Sequence, residues 1–138
     1  MEESLSVKKK YSMYSPLTLA YLGDSVFDLK IKEYLVSRHN MQAEKFHRRV
    51  SNIVCARNQS AFMDNNMDFF TEEEIEVYNR GRNASVHTKA KNASMAEYKK
   101  ATGFEAVIGY LHLCGMEERL SCLIEKVLSE AGELIEEE

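Results

Sequence analysis

Apolar residues recur at helical spacing along most of the chain, whereas the strict alternation of a strand is hard to find anywhere. Ser15 followed by Pro16 is typical of a helix start, and the pattern behind it predicts a helix that continues to about His39. Apolar residues cover a wide part of this helix, which indicates a central and mostly buried position. They are Leu19, Tyr21, Leu22, Val26, Phe27, Leu29, Ile31, Tyr34 and Leu35.

Two further helices are predicted in the middle of the chain. The first spans Ala43–Arg57, and its pattern allows a bent continuation to Met63. The second is short, because Thr71 and Glu74 form a capping box at its start and Gly81 is predicted to end it.

The last third of the chain predicts two more helices. Ser94 and Glu97 form a second capping box, which opens a helix that ends at Gly115. The final helix spans about Glu117–Ala131 and is stopped by Gly132. Because no strand is predicted, we expect an all-α fold.

The composition indicates one globular domain. Of the 138 residues, 44% are hydrophobic and 29% are charged, and a chain of this size buries a sizeable core. We expect a flexible N-terminal arm at 1–14, the folded domain at 15–132 and an acidic tail at 133–138. No apolar run approaches the roughly 20 residues of a membrane span, and the three cysteines lack paired spacing. We therefore expect a cytoplasmic protein that does not contact a membrane.

Charge is unevenly distributed along the chain. The formal net charge is −4, but residues 117–138 alone hold eight acidic and two basic residues. Residues 77–96 hold no acidic residue at all. A locally positive surface is therefore predicted on an acidic protein. We interpret the polar, basic stretch Arg82–Ala93 as an ordered loop.

Two acidic residues stand inside apolar helices. Asp24 follows Gly23 in the central helix, and Glu105 lies in the apolar helix that Ser94 opens. Burial of an unpaired carboxylate is costly, so each acid needs an explanation. Two such acids on packed helices are able to face each other and to hold a hard divalent cation through oxygen. Zinc is disfavoured, because the histidines show no ligand spacing.

A simpler interpretation of the acids stays open at this point. Each acid then lies on a solvent-exposed stripe, or Asp24 pairs with Lys30 or Lys32. Asp28 lies one helical turn after Asp24 and is a candidate third ligand, although we interpret it as a solvated neighbour.

Both acids lie in motifs that resemble those of a known family. Leu22–Val26 is similar to the Leu-Gly-Asp-Ala-Val helix of the ribonuclease III superfamily, and Gly103–Gly109 resembles its second acidic motif. Arg80–Ala84 and Lys91–Asn92 look like a loop motif of its Mini-ribonuclease III branch, which has no double-stranded-RNA-binding domain. The resemblance covers about residues 15–130.

The resemblance implies the helical fold of the ribonuclease III endonuclease domain and an endoribonuclease that cleaves double-stranded RNA. It implies that Asp24 and Glu105 are the catalytic residues and bind Mg²⁺. The products would carry 5′-phosphate and 3′-hydroxyl ends, and two sites in a homodimer would cut the two strands. The branch implies a precursor of large-subunit (23S) ribosomal RNA as the substrate, with a ribosomal protein on that RNA as a further partner.

Two positions depart from the full-size enzymes of this family. Those enzymes carry an acid four residues before the first Asp and another three residues before the Glu, where this chain has Ala20 and Thr102. The mini branch is similar in lacking both acids. The number of metal ions at the site therefore stays open.

A duplex is held mainly through its phosphates and 2′-hydroxyl groups, so we expect RNA-binding residues outside the acidic pair. We predict contacts from the basic segment and from one helix face, although the helix face equally fits a solvated surface. The predicted RNA-binding residues are Arg80, Arg82, Asn83, Lys89 and Lys91 in the segment, and Arg48 and Arg49, beside Lys45, on the helix.

The alternative function belongs to another class. A catalytically silent helical RNA-binding protein or ribosome-assembly scaffold would keep the same fold without the chemistry. The presence of both Asp24 and Glu105 counts against this alternative.

Overall fold

The computed structural model describes residues 2–84 and 94–133. Within these ranges it contains seven α-helices and no strand, which confirms the predicted all-α class. The helices are α1 (Glu2–Ser12), α2 (Pro16–Arg38), α3 (Ala43–Val54), α4 (Ala56–Asn65), α5 (Glu72–Ala84), α6 (Met95–Leu113) and α7 (Glu117–Glu130), with a 3₁₀ turn at Met67–Phe69. None of these helices is both long and apolar enough to cross a membrane.

Helix α6 lies at the centre of the fold. It packs most extensively against α2, and then against α5 and α4. Phe104, Val107 and Ile108 of α6 have no exposed surface, and the Phe104 ring lies edge-on to the rings of Phe27 and Phe62 at centroid distances of 5.0 and 5.7 Å. Burial of each such side chain contributes about 1.5–3 kcal/mol. The core therefore holds α6 in one position relative to its neighbours.

Helices α2 and α6 touch through their backbones at Gly23 and Gly109. A Cβ atom on Gly23 would lie 1.8 Å from the carbonyl oxygen of Glu105, and one on Gly109 would lie 2.0 Å from that of Leu19. No side chain fits into so small a space, so the crossing requires glycine at both positions. Because Asp24 directly follows Gly23, the crossing brings Asp24 beside the turn of α6 that carries Glu105.

Most predicted helix ends are confirmed. Helix α2 begins at Pro16 and ends at Arg38. The capping box before α6 is formed, with hydrogen bonds of 3.0 and 3.1 Å between Ser94 and Glu97. Helix α7 ends at Glu130, two residues before Gly132, whose φ of +74° suits a glycine.

Two predicted helices differ from the structure in their bounds. The helix from Ala43 is interrupted at Cys55, whose extended backbone (ψ 153°) ends α3 before α4 begins. Helix α5 does not end at Gly81 but continues to Ala84. Gly81 is buried, and a Cβ atom there would lie 2.9 Å from the Cβ of Ala106. This glycine permits close packing of α5 on α6 and does not cap the helix.

The N-terminal segment, predicted to be an arm over residues 1–14, contains helix α1. Tyr11 packs against the core and its ring lies 5.0 Å from that of Tyr14. Arg80 of α5 donates hydrogen bonds to the carbonyl oxygens of Ser12 and Tyr14. The hydrogen bonds from Arg80 come from a distant part of the chain, so the local pattern does not reveal them. The predicted acidic tail, apart from Glu133, lies outside the described residues, and its boundary stays a prediction.

Candidate active site

Asp24 of α2 and Glu105 of α6 line one open cavity of about 410 Å³. The two carboxyl groups lie close enough for Asp24 to raise the pKa of Glu105 through hydrogen bonding and through its charge. Helix α4 closes the cavity on another side with Gln59, and Tyr21 lies at its edge with 84% of its surface exposed. The structure thus brings together the two acids that the sequence predicts to be catalytic.

The two acids differ in exposure, and the open interpretation of a solvent-exposed position holds for Asp24 but not for Glu105. Asp24 is exposed, whereas Glu105 is partly buried. Helix α2 turns its apolar side, with Val26 and Phe27, towards the core, while the side that carries Asp24 borders the open cavity. Asp24 therefore keeps contact with water, and Glu105 alone bears the cost of burial.

The lysines that were candidate partners of Asp24 pair with other acids. Lys32 lies 2.7 Å from a carboxylate oxygen of Asp28, one helical turn away. Lys30 lies 4.0 Å from Glu117 of α7. Asp28 is therefore engaged in a surface ion pair one helical turn from Asp24.

The carboxyl group of Glu105 has a strongly raised pKa. Burial raises the pKa of Glu105 to about 9, and the hydrogen bond and negative charge of Asp24 act in the same direction. A hydrogen bond from Gln59 opposes these effects and lowers the pKa. Two carboxyl groups that share a proton form a site in which a cation is able to replace that proton.

Gln59 is the residue of the site that sequence analysis missed. It is only 3% exposed although its side chain is polar. It follows Ala56 by three residues and precedes Phe62 by three, so it stands on the buried stripe of α4. A polar residue on that stripe is the signal that points to it.

The residues present fit one hard divalent cation. Asp24 and Glu105 offer carboxylate oxygens, which Mg²⁺ and similar ions prefer. Ala20 and Thr102, where the full-size enzymes carry acids, line the same cavity, and the hydroxyl of Thr102 donates to the carbonyl oxygen of Tyr98 at 3.0 Å. No group of three or more His, Cys, Asp or Glu side chains suited to a metal occurs within residues 2–84 and 94–133. Water or phosphate oxygens must therefore complete the coordination.

The predicted RNA-binding residues around α5 have different surroundings. Arg80 is exposed but is engaged with the carbonyl oxygens before α2. The guanidinium of Arg82 lies 5.7 Å from the centre of the Tyr78 ring, and Asn83 is exposed. Lys89 and Lys91 lie outside the described residues. Arg80 thus has a structural role, and its contact with RNA stays a prediction.

On α3, the two predicted arginines also differ. Arg48 is exposed, as is Lys45. Arg49 is partly buried and forms an ion pair with Glu133 beyond the end of α7. Arg48 therefore remains the more accessible candidate for contact with a phosphate.

Comparison with known proteins gives consistent matches. Residues 17–116 match the model of the Ribonuclease III domain. The chain is 41% identical to Mini-ribonuclease 3 of Enterococcus faecalis, over 91% of this chain and 96% of the relative. It is 44% identical to Mini-ribonuclease 3 of Symbiobacterium thermophilum, over 88% and 90%. A crystal structure of a protein from Fusobacterium nucleatum aligns with a TM-score of 0.79 and 31% identity, covering 88% of this chain and 96% of that one.

Glu105→Gln should stabilise the metal-free protein, and more so as the pH rises. The folded protein keeps a proton on Glu105 up to about pH 9, whereas a glutamate in the unfolded chain releases its proton near 4.5. Between these values the native state binds more protons, so its stability falls with rising pH. Glutamine removes this pH dependence. We therefore expect the free energy of unfolding of the metal-free protein to increase by on the order of 1–4 kcal/mol near pH 8.

Thermal unfolding in EDTA between about pH 5 and pH 8 measures this difference. Glu125→Gln, at an exposed position of α7, serves as the control and should follow the unmodified protein. Equal pH dependence in Glu105→Gln and the unmodified protein would show that Glu105 does not carry the raised pKa.

Proposed function

The chain belongs to the ribonuclease III family, within which it is an endoribonuclease of the Mini-ribonuclease 3 kind, and we propose that it cleaves double-stranded RNA at Asp24 and Glu105 with the help of Mg²⁺. The observation that carries this proposal is the pairing of the two carboxyl groups across the α2–α6 crossing. The family acts on double-stranded RNA and generally uses a divalent metal. A scaffold without catalytic activity would gain nothing from two adjacent carboxyl groups, one of which is unfavourably buried.

The two acids have different tasks in the proposed reaction. Asp24, in contact with water, accepts a hydrogen bond from the attacking water and orients it towards the phosphorus. Glu105 must release its proton before it offers a full negative charge to the site, which makes metal binding and proton release coupled events. Bound Mg²⁺ would polarise water and stabilise negative charge on the phosphate.

The bond changes are those of hydrolysis. The water oxygen forms a bond to phosphorus, and the bond from phosphorus to the 3′-oxygen breaks. The attacking water releases a proton to solvent, and the 3′-oxygen takes up a proton from solvent. The products are therefore a 5′-phosphate and a 3′-hydroxyl.

For the biological substrate, we propose a precursor of 23S ribosomal RNA, with a ribosomal protein on that RNA as a partner. The likeness to the Mini-ribonuclease 3 relatives supports this choice. A substrate of this kind is encountered in the cytoplasm, where we propose that the enzyme acts.

We also propose that the chain acts as a homodimer with two-fold symmetry. Tyr21, Leu29 and Val36 are 84%, 53% and 57% exposed, and they follow one side of α2. Exposed apolar residues aligned on one helix are typical of an interface. Because Tyr21 borders the cavity of Asp24, a partner bound there would set two active sites close together, as a cut through both strands requires.

Sedimentation at micromolar concentration tests the dimer. We expect a single species of twice the monomer mass, and Tyr21→Asp should shift it towards monomer because a charge would be buried without a partner. Glu33→Gln, at an exposed position of the same helix, should remain dimeric. A monomer in the unmodified protein would contradict the proposal.

Asp24→Asn should abolish cleavage of duplex RNA, with a loss of about 100-fold or more. Asparagine keeps the shape of the side chain but removes the ligand charge, and position 24 is exposed, so the fold and RNA binding should remain. Asp28→Asn is the matched control, since it removes an acid one turn away that pairs with Lys32.

The assay uses duplex RNA with Mg²⁺ and is repeated with EDTA, and circular dichroism verifies the fold. The unmodified protein should lose its activity in EDTA, and the Asp28→Asn protein should keep it in Mg²⁺. Near-normal cleavage by the Asp24→Asn protein would show that Asp24 is not part of the active site.

Arg82→Ala combined with Lys89→Ala should weaken binding to all duplex sequences alike. Contacts to phosphate carry no sequence information, and each lost contact reduces the slope of log K against log salt by about 0.7–0.9. A reduction of somewhat under two is therefore expected if both residues touch the backbone.

Lys30→Ala with Lys32→Ala removes the same charge from α2 and serves as the control, with an expected slope near that of the unmodified protein. If the Arg82 and Lys89 variant keeps the salt slope and the affinity for duplex RNA of the unmodified protein, the duplex binds to another surface. Arg48 would then be the next residue to replace.

A further inference from the structure

The side chain of Gln59 connects the proposed metal site to the break between α3 and α4. Its Nε2 donates a hydrogen bond to the carbonyl oxygen of Val54 at 2.9 Å. Val54 is the last residue of α3, where a helix leaves carbonyl oxygens without partners of its own. Gln59 and Glu105 line the same cavity, and hydrogen bonding with Gln59 lowers the pKa of Glu105. Gln59 therefore bridges a helix end and one of the two acids.

The orientation of this amide group is fixed. Turning it over would place the Oε1 atom against the carbonyl oxygen of Val54, and two acceptors repel each other. In the observed orientation, Oε1 is buried and has no hydrogen-bond partner within the described part of the chain. A buried acceptor without a partner is unfavourable. This unfavourable burial of Oε1 accompanies an orientation in which the donor end of the amide lies on Val54, beside the cavity that Glu105 lines.

We propose that Gln59 is a positioning residue that holds the carboxylate of Glu105 in the orientation a divalent cation requires. Glu105 is the buried acid, and Ala20 and Thr102 contribute no carboxylate to the cavity. With only two carboxylates, the site depends on each one being correctly placed. Groups that orient a metal ligand in this way typically change metal affinity 10–100-fold when they are removed. The inference rests on the function proposed above.

Gln59→Met tests the role, because methionine has a similar length and volume but donates no hydrogen bond. The probe is Mn²⁺ titrated into the full chain without RNA, well below the unfolding temperature. We expect the dissociation constant for Mn²⁺ to rise about 10-fold or more. The unfolding temperature in EDTA should change by only a few degrees, since the unpaired Oε1 is removed together with the donor.

Two further measurements separate positioning from a general structural effect. In the cleavage assay, the Mg²⁺ concentration for half-maximal rate should rise by a similar factor, while the rate at saturating Mg²⁺ should largely recover. Asn58→Ala is the matched control, because Asn58 is exposed, donates to the carbonyl oxygen of Asn52 and lines a different cavity. It should bind Mn²⁺ like the unmodified protein. Gln59→Leu repeats the test with other packing if Gln59→Met does not fold.

The outcomes distinguish this inference from the proposed function. Unchanged Mn²⁺ affinity in a folded Gln59→Met protein, with normal binding by the unmodified protein, overturns the role of Gln59 alone. Absence of Mn²⁺ binding by the unmodified protein overturns the metal site, and the role of Gln59 with it. Weaker binding by Asn58→Ala to the same extent would show a general effect of α4 and would also overturn the inference.

Discussion

The contact between the backbones of α2 and α6 is the constraint on which the site depends. Gly23 lies against the carbonyl group of Glu105, and Gly109 lies against that of Leu19, so the two helices meet over one turn of each and run in opposite directions. This register places Asp24 beside Glu105. A helix pair separated by ordinary side chains would be 8–10 Å apart, and the two carboxyl groups would be further from each other. The same glycines that weaken the helices thus create the acidic pair.

The asymmetry of the acidic pair follows from the same packing. Helix α6 is buried along most of its length, so Glu105 loses most of its water, while α2 leaves Asp24 at the open cavity. Burial and the neighbouring acid together raise the pKa of Glu105. In the metal-free protein, one proton therefore compensates the repulsion between the carboxylates. A cation that displaces this proton gains a ligand whose charge is poorly solvated and therefore strongly attracting.

The sequence predicts local features of this fold well and contacts between distant segments poorly. Capping boxes and apolar spacing lie within a few residues, which is why the starts of α2 and α6 are confirmed. Gly81 looks like a helix end because its pattern is the same whether the glycine caps a helix or meets Ala106 of another helix. The motifs identify Asp24 and Glu105, but exposure of Asp24 depends on how α2 rotates in the fold. Gln59 carries no motif, and its role becomes visible only when α4 is packed against α6.

This chain has Ala20 and Thr102 where the full-size enzymes carry acids, and this difference has an electrostatic consequence for a nuclease. One divalent cation at the proposed site would neutralise Asp24 and Glu105 together, so the site would present no net negative charge to a phosphodiester. A site with four carboxylates would need two such cations to reach the same balance, because each uncompensated charge repels the RNA backbone. Ala20 and Thr102 therefore make a single-cation site compatible with a polyanionic substrate. Because positions 20 and 102 carry no acid, fewer protein oxygens surround the cation. Correct orientation of Glu105 then matters more than in a site with four acids.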